Sequence, residues 1–337
     1  MKAIVQENYG SPDDVLVLKD IVKPTVKEDE VLVRVHAASV HPDVWHLVRG
    51  LPYVLRLMGA GLLKPKHPVP GTDVAGHVES VGKNVTRFKL GDEVFGESVR
   101  GHQWHNGGAY AEYVSVSEDG LVLKPVDITF EQAAAVPTSG LIALQGLRHQ
   151  GQLQPGQKVL INGAGGGVGA IAVQLAKAYG AEVTGVDSTG KLDLLRSLGA
   201  DQVIDYTQED FTQGGERYDL IVDVPGNHSF SECRRALTPK GTYVLIGHDQ
   251  FGRLGHHFLG SLPRILKLVA LSPFVSQLPE LSFSMPTKKE SMAVLNELLE
   301  AGKITPVIDR TYPLSEVVEA IRYLEEGHTQ GKVLIIV

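Results

Sequence analysis

Residues 159–169 read VLINGAGGGVG, and this stretch decides the fold. Residues 159–162 are mostly apolar and β-favouring, so a strand is expected up to Asn162. Gly163, Gly165, Gly166, Gly167 and Gly169 then crowd into seven positions. Beyond them Ile171, Val173, Gln174, Leu175 and Ala178 recur at helical spacing, which predicts a helix over 170–179. Strand, glycine turn and helix in that order is the setting a dinucleotide site needs. Glycines permit the tight turn and a close approach of backbone to pyrophosphate. The helix N-terminus offers free N–H groups and the positive end of its dipole. The literal fingerprint is Ala164-x-Gly166-x-x-Gly169, with Ala where the first glycine usually stands, and Gly165, Gly167 and Val168 complete the candidate phosphate cradle. The alternative is a tight turn with no ligand.

The neighbours favour the ligand. A second strand over 182–186 ends in Asp187, about 20 residues after the glycines, where an acid that reads ribose is expected. A third, over 202–205, ends near Tyr206. A fourth, over 218–222, ends in Asp223 before Pro225-Gly226. Strands alternating with helices imply a doubly wound parallel sheet.

Working outward, residues 1 to 125 read as all-β. Short β-rich runs at 15–18, 31–37, 74–81 and 109–116 are punctuated by Gly, Pro, Asn and Asp. Helices are expected over 130–136, 141–150, 262–270, 288–301 and 314–324, with an edge strand over 279–283 and a last strand over 333–337. The 337 residues are 43% hydrophobic, enough for two domains with cores of their own. A net charge of −7 with scattered basic residues argues against a nucleic-acid surface. One cysteine, Cys233, excludes an intrachain disulfide and points to a reducing, cytoplasmic setting. The opening MKAIVQENYG lacks the apolar core of a signal peptide. The apolar stretch 258–275 is broken by Pro263, Arg264, Lys267 and Pro273, so it reads as a buried or pocket-lining helix and not as a membrane span.

These residues resemble the medium-chain dehydrogenase/reductase superfamily, in particular its zinc-free quinone oxidoreductase branch. The resemblance runs nearly end to end. It is carried by MKAIV with Pro12, by Ala38-Ser39-Val40-His41-Pro42 and by Pro70-Gly71-Thr72-Asp73-Val74-Ala75-Gly76 with Val81-Gly82. Further carriers are residues 91–96 (GDEVFG), 108–113 (GAYAEY), 157–169, 302–306 (GKITP) and 331–333 (GKV). It implies an α/β architecture: a GroES-like catalytic β-domain over 1–125 and 286–337, and a Rossmann doubly wound parallel-sheet domain over 126–285. Nicotinamide and substrate would share the cleft between them.

The same resemblance speaks against zinc. His41 stands where the zinc enzymes carry a first Cys ligand, Gly71-Thr72-Asp73 replaces their Gly-His-Glu, and no Cys or His falls near residues 137–139. A site built from His41 and Asp73 alone is short of ligands. His102, His105 and the pair His256-His257 leave room only for an unrelated surface metal. Without a Lewis acid, a plain alcohol's alkoxide is poorly stabilised, so quinones and α,β-unsaturated carbonyls suit the site better. Tyr53 matches the region of an acid in related enoyl reductases, one residue out of register, and His41 replaces an Asn near the nicotinamide. These two are the candidate catalytic residues, with a packing role as the alternative for each. Trp45, Trp104 and the 258–275 helix are candidates for an apolar substrate wall.

The cofactor signals conflict. Asp187 is the acid of NAD enzymes and repels a 2′-phosphate. Lys191 and Tyr206 match positions that hold that phosphate in quinone oxidoreductases, and Ser188 and Thr189 add hydroxyls. NADP(H) is therefore favoured slightly over NAD(H), with the acid free to rotate away. Thr138, Val224, Gly247 and Lys332 match further cofactor contacts, Lys191 and Lys332 being otherwise ordinary surface lysines. The reading is an NAD(P)H-dependent reductase of quinones or enones acting on a small molecule. A metal-free alcohol or aldehyde dehydrogenase and an NADPH-binding scaffold are the alternatives. A homodimer through an edge strand near 281–284 is expected, with neither nucleic acid nor a membrane span.

Overall fold

The structure is a computed structural model that describes residues 1–99, 105–247, 257–279 and 286–337. In chain order come β1 (Lys2–Gln6), α1 (Pro12–Val15), β2 (Leu16–Asp20), β3 (Glu30–Val40), α2 (Pro42–Arg49), β4 (Asp73–Val81) and β5 (Glu93–Glu97). Next are β6 (Tyr113–Ser117), β7 (Leu121–Leu123), α3 (Phe130–Ala134), α4 (Pro137–Leu144), β8 (Lys158–Asn162), α5 (Gly167–Ala178) and β9 (Glu182–Asp187). They are followed by α6 (Leu192–Ser197), β10 (Gln202–Asp205), β11 (Tyr218–Asp223), α7 (Phe230–Arg235), β12 (Leu237–Leu245) and α8 (Leu262–Leu271). The chain closes with α9 (Lys288–Glu300), β13 (Ile308–Pro313), α10 (Val317–Glu326) and β14 (Lys332–Ile336).

The chain divides into two compact units. Unit 1 is Met1–Thr138, Thr287–Gly302 and Pro306–Val337; unit 2 is Ser139–Pro286 and Lys303–Thr305. In unit 1, β1 and β2 form an antiparallel hairpin, and a larger sheet runs β13-β14-β3-β4-β5-β7, with β6 also paired to β3. Both faces of its strands are covered: Val31, Val33 and Ala37 of β3, Val74 and Ala75 of β4, Val94 and Phe95 of β5, and Leu334 and Ile335 of β14 are all fully buried. In unit 2 the described strands pair in parallel in the order β10-β9-β8-β11-β12. The order reverses between β8 and β11, the switch point beside which ligands bind in such sheets. Leu160, Val186, Ile221 and Tyr243 build one side of its core with Cys233.

The structure departs from the sequence reading in four places. Residues 1–125 are not all-β: α2 follows His41, with Pro42 in its first turn and Gly50 closing it at φ 63°. Proline in the first turn and glycine past the last are ordinary helix signals, and their eight-residue span was hidden by the β-rich flanks. The unit boundary falls after Thr138, one helix later than expected, because α3 packs on β3 and β4 and Phe130 stacks on His36 at 4.5 Å. Strand β6 starts at Tyr113, since the N–H groups of Ala109 and Tyr110 are taken by Gly71 and Pro70. Finally α8 is not buried: Leu268, Leu271 and nearby Val275 pack inward, while Leu266 and Val269 are exposed. No described helix is long and apolar enough to cross a membrane. The expected strand at 279–283 falls outside the described residues except for Pro279, and so do the dimer edge at 281–284, Trp104, His102 and His256.

Candidate functional site

The glycine loop of unit 2 forms where β8 meets α5. Gly163 turns at φ 77°, and the N–H groups of Gly163 and Ala164 are held by the Val186 carbonyl of β9. Ala164 is fully buried. A Cβ on Gly169 would lie 2.1 Å from the Gly163 carbonyl oxygen, so the helix packs on the loop only with glycine there. Gly166 is the N-cap of α5, and no side chain caps it. A Cβ on Gly166 would meet nothing nearer than 3.6 Å, so this part of the loop is lined by bare backbone with open space beside it. Gly167 and Val168 begin the helix, and their end of it carries the dipole's positive charge. This is a cradle for an anion, and it fits a pyrophosphate.

Asp187, at the end of β9, closes one side of the cradle. Its Oδ2 accepts from Gly165 N–H at 2.8 Å and its Oδ1 from Ser188 N–H at 2.9 Å. Lys191 Nζ stands 3.5 Å from Oδ1, with both side chains nearly buried. The acid therefore does not rotate away, as the sequence reading supposed; two backbone donors and a cation hold it. Nor is Lys191 a free surface lysine: a Cβ on Gly165 would come within 2.7 Å of its Cδ, so its stem lies on the loop. Tyr206 N–H donates to the Asp187 carbonyl at 3.1 Å, while its ring is exposed. Across the switch point, Val224 N–H donates to Asn162 and Gly247 N–H to Val224. Behind them buried Asp223 accepts from Tyr243 hydroxyl at 2.9 Å and from Asn162 at 2.8 Å, and burial raises its carboxyl above the usual range.

Unit 1 gathers a second polar cluster. His41 precedes Pro42 in extended conformation, is 5% exposed, and places Nε2 2.7 Å from Thr72 Oγ1. Asp43 lies 3.7 Å from its Nδ1. Thr72 Oγ1 is 3.5 Å from Thr138 Oγ1. Thr138 donates its N–H at 3.0 Å and its hydroxyl at 2.5 Å to Asp73 Oδ1, while Ser39 donates to Oδ2 at 2.5 Å. Lys332 Nζ is 3.6 Å from that Oδ2, fully enclosed and, among the described residues, without a hydrogen-bond partner. Glu97, 3.2 Å from the Thr138 hydroxyl, is paired with Lys288 of α9. Burial pushes the His41 imidazole below its ordinary value; Asp43, Asp73 and Glu97 oppose the shift and Lys332 adds to it. Burial likewise lowers the Lys332 ammonium, with Asp73 opposing.

The two expected catalytic residues separate. His41 is part of this network, whereas Tyr53 is 43% exposed on the loop after α2, its ring against the Arg56 guanidinium. Thr138 and Lys332, expected as cofactor contacts, are found bonded to or beside buried Asp73. Trp45 is buried in α2. The sequence reading gave Thr72, Asp73, Glu97 and Lys288 no role in a site. The available signal was a Thr-Asp pair opening an apolar strand and a lysine opening another, Lys332-Val-Leu-Ile-Ile336.

Residues 27–126 match the family described as alcohol dehydrogenase GroES-like domain, and residues 198–335 match zinc-binding dehydrogenase. The chain is 35% identical to 2-methylene-furan-3-one reductase of Solanum lycopersicum, over 99% of this chain and 79% of the relative. It is also 35% identical, with the same coverage, to the NADPH-dependent alkenal/one oxidoreductase, chloroplastic, of Arabidopsis thaliana. Among solved structures, the Escherichia coli quinone oxidoreductase complexed with NADPH superposes with a TM-score of 0.79 at 27% identity, covering 100% of both chains. The chain belongs to the quinone oxidoreductase branch of the medium-chain dehydrogenase/reductase superfamily. As in that superfamily, a GroES-like unit accompanies a Rossmann-like parallel sheet. As for the zinc in the second family's description, the described residues hold no group of three or more His, Cys, Asp or Glu able to bind a metal; Asp73 is bonded to Ser39 and Thr138, and His41 to Thr72.

Proposed function

We propose that this protein, without a metal, reduces a quinone or an α,β-unsaturated carbonyl at the expense of NAD(P)H. The observation that carries the reading is the uncapped N-terminus of α5 over a bare glycine cradle, in a chain whose 35%-identical relatives bear reductase names. Bound NAD(P)H supplies the hydride. The backbone N–H groups of Gly167, Val168 and Gly169 in the first turn of α5 hold its pyrophosphate, and Gly165 and Gly166, whose own N–H groups go to Asp187 and Gly163, line the cradle. Asp187, Ser188, Lys191 and Tyr206 face its adenosine ribose. The Lys191 ammonium offsets the Asp187 charge, so a 2′-phosphate meets a pair of near-zero net charge; this supports NADP(H) over NAD(H). In unit 1, His41 is the group that handles the proton. Its wiring into Thr72 and Thr138 supports it over Tyr53, which sits at the surface.

A cytoplasmic homodimer belongs to the same reading. The single buried cysteine and the exposed apolar side chains Leu266, Val269 and Phe274 support it. The test follows oxidation of NADPH and of NADH, separately, against quinones, enones and aldehydes, with and without a chelator. Chelator-insensitive turnover of a quinone or enone is the expected result. Saturable cofactor binding with no turnover of any acceptor would replace the reductase with a binding protein.

A further inference from the structure

The buried network of unit 1 has a direction that its donors and acceptors impose. As a carboxylate, Asp73 only accepts. It takes the Ser39 hydroxyl on one oxygen and both the N–H and the hydroxyl of Thr138 on the other. The one hydroxyl proton of Thr138 faces two carboxylate acceptors, Asp73 at 2.5 Å and Glu97 at 3.2 Å, and goes to the nearer, so its oxygen remains to accept. Thr72 Oγ1, 3.5 Å away, is the donor that faces it. Thr72 then accepts in turn from His41 Nε2, at 2.7 Å. The reverse orientation, with Thr72 donating to His41, removes one bond from a buried set, which is the costlier arrangement. We propose that Asp73 is a positioning residue: through Thr138 and Thr72 it fixes the proton of His41 on Nε2 and leaves Nδ1 as the nitrogen that exchanges a proton with the acceptor molecule.

The charged groups around His41 fit this assignment. Asp43 on α2 stands 3.7 Å from Nδ1 and is 39% exposed, so it links that nitrogen to solvent. Asp73 lies on β4, Glu97 on β5 with Lys288 of α9 upon it, and Lys332 on β14. Lys332 balances the charge of Asp73 from 3.6 Å without displacing Thr138 from it. Burial disfavours the imidazolium, but when Nδ1 takes up a proton Nε2–H still donates into a chain that ends on a carboxylate, the role an acid plays behind a catalytic histidine elsewhere. In an enone, the hydride adds to the β-carbon and the electron pair moves onto the carbonyl oxygen. Nδ1 takes a proton from solvent by way of Asp43, and that Nδ1–H bond then breaks, its proton going to the reduced acceptor and its electron pair staying on nitrogen.

This deepens the reductase reading and rests on it for the acceptor, but not for the tautomer, so the test reads the two separately. Full-length protein with ¹⁵N-labelled histidine gives long-range ¹H–¹⁵N correlations that report which ring nitrogen is protonated, with His41 assigned by its loss in His41→Gln. The expected wild-type spectrum shows Nε2–H at neutral pH. Thr138→Val frees the Thr72 hydroxyl to donate to Nε2, and the proton moves to Nδ1. Wild-type protein protonated on Nδ1, or a valine variant that keeps Nε2–H, overturns the proposal whether or not any acceptor is turned over. Asp73→Asn adds a kinetic arm. Its kcat falls at least about tenfold and the pH profile of kcat shifts, while the Kd for NADPH stays within about twofold. Loss of cofactor binding in step with kcat would make Asp73 merely structural and would also overturn it.

Discussion

Lys191→Met separates two demands that meet at the end of β9. The variant keeps the stem that lies on Gly165 and removes only the ammonium. Asp187 then retains its bonds to Gly165 N–H and Ser188 N–H but loses the cation 3.5 Å from its Oδ1. For a cofactor with a 2′-phosphate two losses follow. A charge-assisted hydrogen bond from lysine to phosphate contributes about 1.5–3 kcal/mol. Repulsion between the bare carboxylate and the phosphate, largely screened by solvent, adds about 1 kcal/mol. Together they weaken NADPH by about 2.5–4 kcal/mol, or roughly a hundredfold or more in Kd. NADH offers ribose hydroxyls as donors to the same carboxylate, so its Kd stays within about threefold. Titration of nicotinamide fluorescence gives both constants, and a thermal melt confirms that the variant is folded. Equal weakening of NADPH and NADH would refute the assignment, as would an NADPH constant within about threefold of the wild type.

Two other consequences are open to measurement. Gly169→Ala would place a Cβ 2.1 Å from the Gly163 oxygen and 2.6 Å from Ala164 Cα, neither of which can swing aside; about 1–3 kcal/mol of overpacking, a Tm lower by roughly 2–10 °C and loss of cofactor binding are expected. An unchanged Tm with intact binding would show that the loop does not pack as described. Burial holds His41 below its ordinary 6.5 in the folded chain, so as pH falls through 6.5 the unfolded chain takes up the proton first. Stability from this group is therefore complete above 6.5 and declines as pH drops toward the folded value, at up to about 1.4 kcal/mol per pH unit. His41→Gln removes that share, and its denaturation midpoint drops less than the wild type's between about pH 7 and about pH 5.5. His36, His67 and His149, also lowered by burial, are common to both proteins and cancel. Identical slopes would sink the reading.

Much of unit 2 was legible because its signals are local. A strand, a glycine run and a periodic helix within about 20 residues carry their own geometry, and each following strand ends at the same edge of the sheet. Gly169 had to be glycine for a reason that lies six residues away, at Gly163. Unit 1 was harder to read. Its α2 is short and is framed by strands, and the helix α3 that decides where the unit ends does so by packing on β3 and β4, more than 45 residues earlier in the chain. Lys191 shows the limit most sharply: its place opposite a 2′-phosphate was readable, but not that it spends its charge on Asp187.

The amino-acid sequence by itself thus determined the parallel sheet, the phosphate cradle and the acid beyond it, because backbone conformation at glycine and hydrophobic period act over a few residues. Only the tertiary structure decided what the isolated polar residues of unit 1 do. Ser39 reaches Asp73 across 34 positions, Thr138 across 65, and Lys332 from the last strand of the chain. A buried carboxylate requires donors wherever the fold brings them, and no spacing in the sequence announces which ones arrive.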